Sequence, residues 1–242
     1  MADPDGMLCS CIGRYNEALA LHDGVLAKRP GDAGTLLAKA ATLDRVGRFA
    51  DALAVIAEIH ATDKLQPDAW FLKGCILYHR GDLNNALACL AEAVRLAPLH
   101  TEAWCQLGNC HYHLGDQDGA LECYGNVIRL DPAYPKGWYN KGVVLSDTRQ
   151  YDGALRCYDE VIRINPGVAT VWTNKGFCLA MTGRYEEAVD AFTTALEINP
   201  ADITAWNDKA AALRRLGREA EAEACAEKVI DLSRHRGPSL VL

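Results

Sequence analysis

All five tryptophans of this chain fall in one register. Trp70, Trp104, Trp138, Trp172 and Trp206 stand 34 residues apart, and Leu36 holds the same place one period earlier. A fixed period of roughly 20–50 residues marks a supersecondary unit that buries its apolar face only by stacking on copies of itself. Other columns keep the period. Four residues after the tryptophan register come Ala40, Gly74, Gly108, Gly142, Gly176 and Ala210. Sixteen after it come Ala52, Ala86, Ala120, Ala154, Ala188 and Ala222, and twenty after it Ile56, Leu90, Tyr124, Tyr158, Phe192 and Ala226. Twenty-eight after it stand Pro98, Pro132, Pro166 and Pro200.

Tryptophan, small residue, glycine, aromatic, alanine, aromatic and proline over one period resembles the tetratricopeptide repeat family. The stretch Trp172–Pro200, WTNKGFCLAMTGRYEEAVDAFTTALEINP, is similar to a consensus copy. The resemblance implies an all-α fold, a right-handed α-solenoid (superhelix) of helix-turn-helix repeats. It also implies a scaffold that holds a peptide or protein segment in a concave groove lined by the first helix of each repeat. Family members that grip the acidic C-terminus of heat-shock chaperones use a lysine, two asparagines and a final basic pair in that groove. Asn109 and Asn140 match the asparagines, but Cys105 stands at the first lysine and Thr170 and Asn174 at the final pair, so that ligand is not expected here.

Six repeats follow from the register: 33–66, 67–100, 101–134, 135–168, 169–202 and 203–236. Residues 1–32 read as an incomplete N-terminal repeat. Gly13, Tyr15, Ala18 and Pro30 keep their columns, but so few residues precede them that the first helix must be short or frayed. Within a repeat, the tryptophan register and the positions four and seven on lie within about 60° of arc on a helix, a stripe facing the core. Trp138, with neighbours on both sides, is expected to be such a core residue, costing about 3–5 kcal/mol if truncated. Gly47, Gly81, Gly115, Gly183 and Gly217 suit the left-handed residue that ends a helix. Asp131-Pro132, Asn165-Pro166 and Asn199-Pro200 stop the second helix, because the residue before proline is pushed out of the helical region.

Two departures stand out. Arg149 takes the glycine column of the fourth repeat, so that turn must strain or open. Lys64 takes the proline column of the first, which makes Ala61–Gln66 the place to expect irregular packing. The last repeat, with REAEAEACAEKVIDL, supplies its own polar end face. The tail 237–242, ending SLVL, is expected to fold back or to be disordered.

The net charge of −7 disfavours a nucleic-acid partner, and no apolar run reaches bilayer length. The start MADPDGMLCS lacks the features of a signal peptide, so cytoplasmic residence is expected, as is a monomer with no membrane partner. No phosphate loop, metalloprotease motif or nucleophile elbow occurs, and the scattered carboxylates read as solvated surface. No enzyme activity, cofactor, catalytic residue or metal is expected. Cys89, Cys123, Cys157 and Cys225 share one column, too far apart for disulfides if adjacent repeats lie about 8–10 Å apart. They read as free thiols behaving as small hydrophobes. Lys39, Lys73, Lys141, Lys175 and Lys209 edge the core face, where their stems would cover apolar surface while the ammonium reaches water.

The remaining face of the first helix is the informative one. Repeats two to four present Phe71, Cys75, Tyr78, His79, Cys105, Asn109, Tyr112, His113 and Tyr139 as candidate groove residues; repeats five and six present Thr173, Phe177, Met181, Asn207, Arg214 and Arg215. Aromatics at solvent-facing positions are what interface cores favour. The competing reading is that these rings pack against neighbouring helices. Cys75, His79, Cys105 and His113 have zinc-ligand chemistry, though ligands on separate first helices rarely converge. The sequence therefore points to a non-catalytic scaffold. The alternatives are a regulatory or substrate-docking subunit of an enzyme complex and a thiol-rich metal or redox sensor.

Overall fold

The computed structural model describes the backbone of residues 4–235 and the side chains of residues 14–234. All regular structure in that span is helical. The helices are α1 (Pro4–Leu26), α2 (Ala33–Arg45), α3 (Phe49–Thr62), α4 (Pro67–His79), α5 (Leu83–Leu96), α6 (Thr101–His113) and α7 (Gln117–Leu130). They continue as α8 (Pro135–Asp147), α9 (Tyr151–Ile164), α10 (Ala169–Met181), α11 (Tyr185–Ile198), α12 (Ile203–Arg215) and α13 (Glu219–His235). The chain forms two compact units, Met1–Asn126 and Val127–Leu242, divided inside α7. Within each, successive helices pack as pairs, α2 on α3 and α4 on α5 in the first, α8 on α9, α10 on α11 and α12 on α13 in the second. This is the α-solenoid arrangement.

The stops behave as local chemistry dictates. Asn165, ahead of Pro166, is extended (φ −146°, ψ 96°), and α9 ends one residue earlier. The side chains of Asp131, Asn165 and Asn199 each accept a hydrogen bond from the amide two residues on, at 3.0, 3.1 and 3.3 Å, which fixes the turn. Asp32 and Asp202 cap α2 and α12 by accepting from the amides of Thr35 and Ala205.

The core is built on the columns four and twenty after the tryptophans. Tyr124, Tyr158 and Phe192 are its largest fully buried side chains, and each lies against a glycine. A Cβ on Gly142 would stand 2.7 Å from Tyr158 Cε1, and one on Gly176 2.6 Å from Phe192 Cε1. Gly108 meets Tyr124 in the same way, and Gly74 meets Leu90. No real Cβ tolerates such distances, so the glycines are the recesses that the rings fill.

The tryptophans do something else. Their rings are only half-buried, and each indole N–H donates to the carbonyl six residues earlier: Trp70 to Lys64, Trp104 to Pro98, Trp138 to Pro132, Trp172 to Pro166 and Trp206 to Pro200, all at 2.8–2.9 Å. The expectation that they fill the core is thus corrected. A buried face and a hydrogen-bonding edge suit indole to the rim, where it ties the inter-repeat loop to the next helix. The lysine column meets the same rings. Lys73, Lys175 and Lys209 hold their ammonium groups 5.1, 5.3 and 5.7 Å from the centres of the Trp70, Trp172 and Trp206 rings, a favourable cation–π placement.

One further expectation changes. α1 is one continuous helix from Pro4, not a short or frayed helix followed by another. Proline is tolerated at the first helical position, and Gly13 permits a left-handed break without forcing one. At the junction Ala61–Gln66 the loop keeps its indole bond, but α3 packs on α4 less extensively than α5 on α6, α9 on α10 or α11 on α12, so the expected irregular packing is present. A carbonyl is the same acceptor on any residue, so Lys64 serves Trp70 as the prolines serve the other tryptophans. At Arg149 the turn strains and does not open. The glycines that end the other first helices have φ between 72° and 85°, and Arg149 adopts 60°. Its turn keeps the same bonds, Arg149 N to Ser146 O at 2.9 Å and Gln150 N to Leu145 O at 2.7 Å, as Gly81 and Asp82 make to Tyr78 and Leu77. The tail 237–242 lies outside the described residues.

A left-handed conformation costs a residue with a Cβ roughly 1–2 kcal/mol, of which glycine's larger unfolded-state entropy returns about half. Arg149→Gly is therefore expected to stabilise by up to about 1 kcal/mol, raising Tm by about 2–4 °C in a chain of this size. Calorimetric melting of the two proteins checks this, and a lower Tm for the variant contradicts it.

Candidate protein-interaction faces

In the first unit the candidate groove residues lie on α4 and α6. Cys75 and Cys105 are buried, at 8% and 4% exposure, and form part of the core. Phe71, Tyr78 and Tyr112 are half-buried, and their rings pack on histidines. Phe71 lies 4.7 Å from His100 between centroids, and Tyr78 and Tyr112 lie 5.6 and 5.3 Å from His113. His79 is exposed and turned to the adjacent repeat, its Nδ1 2.8 Å from the Asp44 carboxylate. Asn109 donates to Gln106 Oε1 and accepts from the Tyr124 hydroxyl, both at 2.8 Å. The aromatic residues thus form a layer over the core whose edges reach solvent.

In the second unit Tyr139 is half-buried, its ring 6.3 Å from that of Tyr158 and its hydroxyl accepting from Asn174 Nδ2 at 3.3 Å. Thr173 is buried and donates to the Asp202 carboxylate at 3.2 Å. Phe177 and Met181 are the exposed apolar residues of this face, at 41% and 51%. Phe177 stands between two hollows. One, of about 200 Å³, lies among Val143, Ser146, Tyr158 and Asn174. The other, of about 380 Å³, is walled by Met181, Tyr185, Phe192, Asp208 and Arg215. The Tyr151 ring meets Phe177 edge-on at 6.3 Å, and the Arg215 guanidinium lies 5.0 Å over the Tyr185 ring.

Asp208 is the electrostatic feature of the larger hollow. Burial, and then the charge of Asp202, raise its pKa above the ordinary carboxylate value. It makes no hydrogen bond or ion pair among the described residues. The fold therefore holds a carboxylate whose ionised form lacks a counter-charge. Phe177, Met181 and Arg215 occupy columns that sequence periodicity assigns to the groove, whereas Tyr185 and Asp208 do not. The signal for Asp208 was its own column, where the two preceding repeats carry Asn140 and Asn174.

Tetratricopeptide repeat models match residues 13–74, 67–100, 101–134, 135–168, 169–202 and 191–224. A search of curated proteins gives no match. Among solved structures, MamA 41-end from Desulfovibrio magneticus RS-1 is 24% identical, with TM-score 0.68, over 71% of this chain and 97% of that one. YrrB, described as a TPR protein with an unusual peptide-binding site, is 21% identical, with TM-score 0.64, over 76% and 95%. Another MamA structure is 20% identical, with TM-score 0.65, over 67% and 95%.

The thiols bear on the sensor alternative. Cys75, Cys89, Cys105, Cys110, Cys123, Cys157, Cys178 and Cys225 are free and buried; the side chains of Cys9 and Cys11 lie outside the described residues. Burial pushes the thiols of Cys75 and Cys123 up to about 12 and that of Cys110 up to about 11. Among the described residues no three His, Cys, Asp or Glu side chains gather closely enough to hold a metal ion. Thiolate is the reactive form, and it is scarce at such pKa values. In native protein at pH 8, Cys75, Cys110 and Cys123 are expected to stay unalkylated by iodoacetamide and to react fully in denaturant, as read by peptide mass mapping. Fast alkylation in the native state would contradict their assignment to the core.

Proposed function

The chain belongs to the tetratricopeptide repeat family, and on that footing we propose that it is a non-catalytic cytoplasmic scaffold gripping a peptide or protein segment on its first-helix faces. The observation that carries this reading is Phe177, exposed between two hollows on one face of the second unit. An extended segment with large apolar side chains spaced to enter both hollows would cover Phe177 and Met181. The uncompensated Asp208 adds a preference for a lysine or arginine beside the anchor in the larger hollow, since an arriving cation supplies the counter-charge that the fold withholds. In the first unit the corresponding proposal rests on Phe71, Tyr78, His79, Asn109, Tyr112 and His113, with Cys75 and Cys105 as the support beneath. Tyr139 belongs to the proposal in the second unit.

The family and the two hollows favour this scaffold over the enzyme-subunit alternative, for which no residue of the chain speaks. Among the described residues no helix is long and apolar enough to cross a membrane.

Peptides selected from a displayed random library on the wild-type protein are expected to share a large apolar residue near a basic one. Phe177→Ala should weaken their binding about 30-fold, the equivalent of about 2 kcal/mol for a hot-spot aromatic, and Asp208→Asn should erase the basic preference. Equal binding by both variants contradicts the face in the second unit. Loss only in the Tyr78→Ala/Tyr112→Ala protein would move the site to the first.

A further inference from the structure

A second feature of the fourth repeat lies on another flank of α8. Lys141, Arg149 and Arg156 line an open cleft of about 810 Å³ between α8 and α9, on the side carrying Trp138 and Leu145. In the first, fifth and sixth repeats the turn arginine is neutralised locally. Arg48, Arg184 and Arg218 each bind a carboxylate three residues on, Asp51, Glu187 and Glu221, at 2.6–2.7 Å. The fourth repeat has Gln150 and Gly153 at those two places, and its arginine stands one residue earlier, at the left-handed position.

Two more columns change with it. Arg156 stands where the flanking repeats carry Glu122 and Asp190. Lys141 lacks both partnerships of its column: the aspartates that bind Lys39 and Lys175, and the indole faces beneath Lys73, Lys175 and Lys209. Among the described residues, Lys141, Arg149 and Arg156 form no ion pair.

The carboxylates of the cleft do not make up the difference. Asp159 is held by Lys175 at 2.6 Å and Glu160 by Arg163 at 2.8 Å. That leaves Asp152 as the one lining carboxylate without an ion pair among the described residues, against three unpaired cations. The excess is two positive charges. The missing side chain at Gly153 also opens the floor: Arg156 Nη2 lies only 3.9 Å from where a Cβ would stand.

We propose that this cleft is a receptor for a phosphate monoester, with Arg149 and Arg156 as oxyanion forks and Lys141 as the third cation. Guanidinium forks match phosphate oxygens in pairs, and a monoester carries a charge of about −1.5 to −2 at neutral pH, which suits the local excess. The engaged carboxylates at the rim, and the chain's net charge of −7, oppose a long polyanion and favour one compact group. The cleft is also larger than a phosphate, leaving room for whatever bears it.

Titration calorimetry on the full chain at fixed ionic strength tests this, with inorganic phosphate and a phosphoserine peptide as the two probes. Wild type is expected to bind both. A tighter peptide identifies a phosphorylated partner as the source, and equal affinity a free phosphate group. Two variants should each weaken binding at least ten-fold while remaining folded by circular dichroism. Arg149→Gly removes a fork and relieves its strained backbone. Gly153→Glu introduces the carboxylate that the first, fifth and sixth repeats carry as Asp51, Glu187 and Glu221, and replaces a glycine in the first turn of α9 with a better helix former. Wild type binding neither probe, or both variants binding as well as wild type, overturns the proposal.

Discussion

The structure depends on a steric lock between a small residue on the first helix of a repeat and a large one on the second. Tyr158 is buried against Gly142 so closely that no Cβ fits between them, and Phe192 lies on Gly176 in the same way. Each lock sets how near two helices approach and where one stands along the other. Because interiors pack at crystal-like density, a methyl group in the wrong place is felt throughout the pair. The columns vary in concert. Gly faces Leu, Tyr or Phe in the middle repeats, while Ala40 is matched with Ile56 and Ala210 with Ala226 at the two ends. Every aromatic ring is matched by a glycine, and alanine appears only opposite an aliphatic residue.

With the helix pairs fixed, the remaining columns join one repeat to the next. The indole edge ties the loop, the lysine covers the indole face, and an Asp or Asn before proline shapes the turn. These contacts consume most of the periodic residues. The surface left over is where repeats differ from one another, and differences are what a partner reads. Phe177, Asp208, Arg149 and Arg156 all depart from their columns or stand exposed within them. That is why Phe177 with Asp208, and the cleft of Arg149 and Arg156, stand out in the second unit beside a scaffold that is otherwise regular.

The fold was legible because its signals are spacings. The 34-residue register, the glycine turns and the Asp-Pro and Asn-Pro stops each have a local physical cause that needs no partner elsewhere in the chain. What the sequence hid was which face of a half-apolar residue is covered. Trp138 and Tyr158 look equally suited to a core, yet only the tyrosine is fully buried, because the indole's N–H has a carbonyl to reach at the rim. Cys75 and Cys105 share helical faces with Tyr78 and Tyr112 but are short enough to be overlaid by their neighbours. Asp208 showed in the sequence only as an aspartate in a column where Asn140 and Asn174 precede it, since a single carboxylate on a helix reads as solvated surface until its burial is known. Arg149 was the opposite case, since a lone arginine in a glycine column announces its strained backbone directly.

The steric lock is tested most directly by a double-mutant cycle in urea. Four proteins are compared: wild type, Gly142→Ala, Tyr158→Ile and the combination, which reproduces the Ala40–Ile56 pairing of the first repeat. The account predicts that Gly142→Ala costs about 1–3 kcal/mol beside tyrosine, as overpacking does, and little or nothing beside isoleucine. The coupling would then far exceed the few tenths expected of independent sites. Additive effects, with the alanine costing the same in both backgrounds, would contradict it.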